Sequence, residues 1–112
     1  MRGNPQCWEP MRRMMVRYTV KPGRGPENTG DIERVFADLQ REAPEGLHYA
    51  AFRLDDGVSF VHVVSLESED VRGALRALPE FQAFLAGVAD RCEAPPVTTT
   101  LHEVGSYAAV GA

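Results

Sequence analysis

The sequence predicts one α+β domain in which four antiparallel strands and two helices follow in the order β-α-β-β-α-β. Three observations lead there. Apolar and polar residues alternate in several short runs, two longer segments carry apolar residues at helical spacing, and an Asp-Gly pair at 56–57 joins the two central runs as a hairpin. The 112 residues suffice for one hydrophobic core and are too few for two ordinary domains.

Residues 1–12 show no period and contain Pro5 and Pro10, so they read as a loose N-terminal tail, Trp8 included; the domain is expected over 13–108 and a short C-terminal tail over 109–112. From Met14, the set Met14, Val16, Tyr18, Val20 alternates with Met15, Arg17, Thr19, Lys21, the pattern of a half-buried strand ending at "KPGRGP". Asn28, with Asp31 three residues on, suits a helix cap, and Ile32, Val35, Phe36, Leu39 and Ala43 continue the stripe to Pro44. "GLHYAAFRL" is the second strand, Gly57 of "DDG" supplies a positive φ in a two-residue turn, and "VSFVHVVSLE" is the third. After a polar link and a short helical piece around Gly73–Leu78, Pro79 opens a helix with the stripe Phe81, Phe84, Leu85, Val88, Cys92. "EAPP" breaks it, and the β-branched run in "VTTTLHEVGSY" makes the last strand.

This order is the ferredoxin-like split βαβ arrangement, with both helices on one face of the sheet. Pairing across Asp56-Gly57 puts Leu47, Tyr49, Ala51 and Arg53 on the same face as Phe60, His62, Val64 and Leu66. The opposite face carries Ala50, Phe52, Leu54, Val61 and Val63, and no element remains to cover it. Large apolar side chains left wet each forgo about 1.5–3 kcal/mol of burial. A homodimer packed sheet to sheet through Phe52, Leu54, Val61 and Val63 is the expected remedy.

Composition removes several functions. Apolar residues at 44% and charged residues at 25% fit a globular chain, and 12 basic against 16 acidic residues offer no basic face for nucleic acid. Cys7 and Cys92 lie far apart without CxxC or ligand spacing, and read as free thiols of a cytoplasmic protein, Cys92 as a small core residue. No signal-peptide core and no run near the ~18 apolar residues of a membrane span is seen. His48 and His62 face opposite ways, and His102 has only Glu103 beside it, so no metal is expected. "KPGRGPENTG" lacks the spacing of a phosphate loop, and "GVSF" and "VGSY" are not nucleophile elbows. The acidic link of Glu67, Glu69 and Asp70 reads as a solvated turn.

His62 is the chemically distinctive residue, one imidazole among valines. Opposite it stands Ala51, whose small side chain leaves room, and Tyr18 and Tyr49 share its face, with Arg53 near. Phenols, an imidazole and a guanidinium around apolar side chains have the usual composition of a small-molecule pocket. Burial keeps such a histidine neutral, as base or orienter, and the structural alternative is a core histidine bonded to a tyrosine or a carbonyl. The candidate catalytic residues are His62, Tyr18 and Tyr49. The candidate pocket comprises Val16, Ala51, Arg53, Phe60, Val64, Leu66, Phe81, Phe84 and Leu85.

The first strand ending in "VKPG", the strand "SFVHVVSLES" running into an acidic link, and "LPEFQAFLAGV" starting a helix at a proline make residues 14–107 resemble the antibiotic biosynthesis monooxygenase-like domains of the dimeric α/β-barrel superfamily. That resemblance implies a pocket between sheet and helices, faced by Met14, Val16, Tyr18, Phe60, His62 and Leu66. It also implies chemistry of the family's kinds: cofactor-free oxygenation of polyketide or quinol-type aromatics, or haem degradation. Leu66 stands where many members have a tryptophan, and Val64 where a glutamate is common. "PEFQAFLAGVADRCE" holds no axial histidine for haem. The expectation is a cofactor-free pocket protein acting on a small apolar or aromatic compound as a monooxygenase. The alternative is a non-catalytic binding or assembly module of the same fold.

Overall fold

The computed structural model describes residues 12–107. The tail expected over 1–12 lies outside these residues except for Arg12, as do Cys7, Trp8 and the C-terminal tail. The elements are β1 (Arg12–Thr19), α1 (Gly25–Glu42), β2 (Leu47–Arg53), β3 (Ser59–Leu66), α2 (Glu69–Arg76), α3 (Pro79–Arg91) and β4 (Val97–Leu101). All pairings are antiparallel and the strand order is β2-β3-β1-β4. The result is an α+β fold of the ferredoxin-like type with an additional helix.

The hairpin register is the one the turn predicts: Ala51 faces His62 and Arg53 faces Phe60. Its turn is wider than two residues. Leu54 donates its N–H to the Ser59 carbonyl, and Gly57 donates to the Leu54 carbonyl. The Asp56 carboxylate accepts from the backbone of Val58 and Ser59 and from the Ser59 hydroxyl, tying the loop down. Gly57 takes the left-handed φ of 78°.

Two helix starts differ from expectation. α1 begins at Gly25, because Pro26 in its first turn presets φ and lacks the N–H that would go unbonded there. Asn28 is therefore inside the helix and fully buried, not a cap. α2 begins at Glu69, earlier than the expected Gly73, with the Ser68 hydroxyl accepting from Val71 N–H. Glu69 and Asp70 thus sit at the positive end of a helix, where carboxylates are stabilising, rather than in a plain turn. Pro79 opens α3 as expected, and the Asp38 carboxylate of α1 accepts the Glu80 N–H.

The helices cover one sheet face. Tyr18, Val20 and Phe60 pack with Val35 of α1 and Phe84, Val88 and Cys92 at the α3 end. Val64 and Leu66 pack with Leu75 and Leu78. Cys92 is a buried free thiol in this core. The other face presents Phe52 and Val97, 55% and 62% exposed, with Leu54 beside them at the hairpin. No helix among the described residues is long and apolar enough to cross a membrane.

Candidate functional site

His62 lies on the central strand β3, with Val16 of β1 and Ala51 of β2 directly opposite. Both are small enough for their diagonal neighbours, Tyr18 and Tyr49, to reach the imidazole from either side. Tyr18 Oη lies 2.8 Å from His62 Nε2, and Tyr49 Oη lies 2.8 Å from His62 Nδ1. The Phe84 ring, 5.4 Å away, closes over the imidazole. Tyr49 is fixed in turn between the edges of Phe36 and Phe81.

The network continues past Tyr18. Asn28 Nδ2 donates to Tyr18 Oη at 2.9 Å, and Arg91 Nε donates to Asn28 Oδ1 at 3.0 Å. Arg91, only 2% exposed, is paired by its Nη1 with Asp31 at 2.7 Å. Its guanidinium lies over the Phe84 ring at 5.9 Å. The room for it comes from Gly87, where a Cβ would stand 2.7 Å from Arg91 Nη1. A buried cation needs this pairing, since an uncompensated charge in the interior costs several kcal/mol.

Burial sets the electrostatics. It lowers His62 to about 4, so the ring is neutral at pH 7. It raises Tyr18 to about 12 against the opposing Asn28 hydrogen bond, and pushes Tyr49 well above the ordinary phenol range, with Tyr18 as a lesser cause. The three rings are uncharged at neutral pH.

A cavity of about 310 Å³ opens over this cluster. Tyr18, Tyr49, His62 and Thr98 are its polar groups from the sheet, set among Met14, Val16, Val64 and Leu66. α3 contributes Phe81, Phe84, Leu85 and Val88, and α2 contributes Leu75 with Arg72 and Arg76. Three residues expected in the pocket stand outside this wall. Phe60 is 1% exposed and stacks on the far side of Tyr18, Ala51 lies on the outer strand beside the imidazole, and Arg53 is exposed at the hairpin end. Val61 and Val63 are half-buried on the open face with Phe52.

Sequence reasoning missed Asn28, Asp31 and Arg91 as members of the network, and Arg72, Leu75, Arg76, Val88, Pro96 and Thr98 as lining residues. The spacing of 72, 75 and 76 after the Ser68 cap is the signal that points to one helical face there. Among the described residues, no three His, Cys, Asp or Glu side chains converge to hold a metal ion.

No family model matches the chain, and no curated protein matches its sequence. Solved structures match its fold. A candidate antibiotic biosynthesis monooxygenase from Bacteroides thetaiotaomicron superposes with a TM-score of 0.73 at 15% identity, over 86% of this chain and 91% of the other. A second candidate of the same description, from Nitrosomonas europaea, gives 0.70 at 14% identity over 85% and 91%. SnoaB, a cofactor-independent oxygenase from Streptomyces nogalater, gives 0.67 at 17% identity over 89% and 99%. At these identities the likeness is one of fold.

Proposed function

We propose, on the premise of that shared fold, that the cavity takes a small aromatic or polyketide-like compound, and that the protein is a cofactor-independent monooxygenase of quinol- or anthrone-type substrates. The observation that carries this reading is the tyrosine–histidine–tyrosine cluster set among mostly apolar side chains in a cavity between sheet and helices, with Arg72, Arg76 and Thr98 also on its wall. Such a substrate, as its anion, is itself the reductant of dioxygen. In an anthrone the ring CH₂ becomes a carbonyl, and in a quinol a ring C–H becomes C–OH as the ring is oxidised to the hydroxyquinone; in each case one oxygen atom is retained and the other leaves as water with two hydrogens. The protein then supplies a water-poor cavity and oriented hydrogen bonds. Of the two roles considered for His62, orienter is the better supported, because both ring nitrogens are already engaged by phenols and burial makes the ring a weak base.

The test is oxygen uptake by the purified protein with a panel of hydroquinones and anthrones, for wild type, His62→Ala and Tyr49→Phe. Uptake with one oxygen consumed per substrate, reduced at least tenfold in both variants, is expected. Ligand binding without uptake by wild type on any member of the panel would instead establish a non-catalytic binding module, a reading that the weak basicity of His62 favours.

The same reading includes a homodimer closed over the open sheet face through Phe52, Leu54, Val61 and Val63. The exposure of Phe52 and Leu54 supports it, as does the broad concavity of about 670 Å³ next to Met15, Val97 and Pro95, which a second copy would fill. Light scattering at micromolar concentration is expected to give twice the chain mass; a monomer would remove the proposal.

A further inference from the structure

The hydrogen-bond chain has a direction, and its chemistry fixes that direction from the buried end. Arginine only donates, so the Asn28 atom facing Arg91 Nε must be the carbonyl Oδ1, and the amide Nδ2 must face Tyr18. Tyr18 Oη then accepts from Asn28, and the acceptor within the network that is in reach of its own proton is His62 Nε2 at 2.8 Å. A neutral imidazole that accepts at Nε2 carries its proton on Nδ1, and Nδ1 points at Tyr49 Oη. Tyr49 Oη accepts this bond, so its own O–H has no acceptor within the network, and Tyr49 lines the cavity.

We infer that Tyr49 is a hydrogen-bond donor fixed on the sheet floor of the cavity, facing a wall that also carries Arg72, Arg76 and Thr98, that it is held in that role by the one-way chain Arg91→Asn28→Tyr18→His62→Tyr49, and that the site selects ligands presenting an acceptor oxygen, such as a phenolate, enolate or carbonyl. Each bond in such a chain polarises the next, so the last O–H is a stronger donor than an isolated phenol. A chain anchored by a cation at its far end also resists reversal, which leaves Nδ1 no vacancy to take a proton from the cavity. Asn28, Arg91 and His62 are positioning residues here. The inference rests on the pocket reading above for its ligand, and on the chain alone for its direction.

Two measurements test it. Two-bond proton–nitrogen NMR of uniformly labelled wild type at pH 7 is expected to show His62 protonated on Nδ1; protonation on Nε2 overturns the chain. Asn28→Asp keeps the shape and still pairs with Arg91, but it can only accept, so Tyr18 must donate to it. His62 is then expected to switch to the Nε2–H form and Tyr49 to turn its proton onto Nδ1. An unchanged tautomer in that variant also overturns the proposal. For the ligand, 1-indanone and indane differ only by a carbonyl. Wild type is expected to prefer 1-indanone by roughly tenfold, the size of one hydrogen bond, and Tyr49→Phe and Asn28→Asp to lose that preference. Equal binding of the two probes removes the donor role alone. Failure of both to bind, with His62 still protonated on Nδ1, removes the pocket reading and the donor role with it.

Discussion

Phe60 and Phe52 are the same residue type on paired strands of one sheet, and they live in opposite worlds. Phe60 is 1% exposed beneath the helices, stacked on Tyr18, whereas Phe52 is 55% exposed on the bare face. The covered face also holds the three bonded rings, His62, Tyr18 and Tyr49, while Phe52, Val61 and Val63 look outward. The covered face thus mixes a polar cluster with apolar core, and the open face leaves large apolar side chains beside Arg13, Arg17 and Thr99. Polar groups placed inside need partners, and the chain from Arg91 to Tyr49 supplies one to each residue in it, although Arg91 Nη2 is left unbonded. The apolar groups outside are the ones the proposed dimer would cover.

The contrast can be broken first where it is greatest. Phe60→Ala should cost about 3–5 kcal/mol in urea unfolding, while Phe52→Ala, at concentrations where the chain is monomeric, should cost less than about 1 kcal/mol. Similar costs at both positions would erase the distinction between the faces. Next in size is proton linkage. The folded-state pKa of His62, about 4, lies below its ordinary 6.5, so the unfolded chain binds a proton that the folded one refuses between those values. Stability should therefore fall as pH drops from about 6.5 to about 4, by on the order of 3 kcal/mol from this residue, with no effect from it above that window. His62→Gln should lose that part of the slope. Gly87→Ala, which pushes a methyl group at Arg91 from the covered side, should destabilise by about 1–3 kcal/mol, read from the thermal midpoint. Smallest in folding terms is Phe52→Asp: almost no change in monomer stability, but loss of the proposed dimer by light scattering.

The legible and illegible parts divide along similar lines. Strand alternation has a period of two, so one Asp-Gly turn was enough to set Ala51 against His62 and to bring Tyr18 and Tyr49 to the same face, even though the actual loop is longer. Helical polar residues carry no such constraint. Asn28 has the short amide of a good cap, and nothing local distinguishes a cap from a residue that turns inward to a tyrosine ten positions back. Arg91 reads as an ordinary basic residue at a helix C-terminus, where it complements the dipole. Its burial depends on Asp31, sixty residues away. Phe60 was assigned to the correct face, but alternation cannot say which part of a covered face is cavity and which is solid core.

Gly25, at the first turn of α1, presses so closely on the hairpin that a Cβ there would stand 2.2 Å from the Gly57 carbonyl oxygen. That contact is a mechanical stop. It decides how far the start of α1 can advance over the sheet, and therefore how far Asn28, one turn later, stands from Tyr18. A hydrogen bond tolerates only a few tenths of an ångström before it weakens. The tolerance of the whole site is thus machined at a point remote from it, where two glycines meet, and a single added methyl group there would detune Tyr49 without touching the cavity.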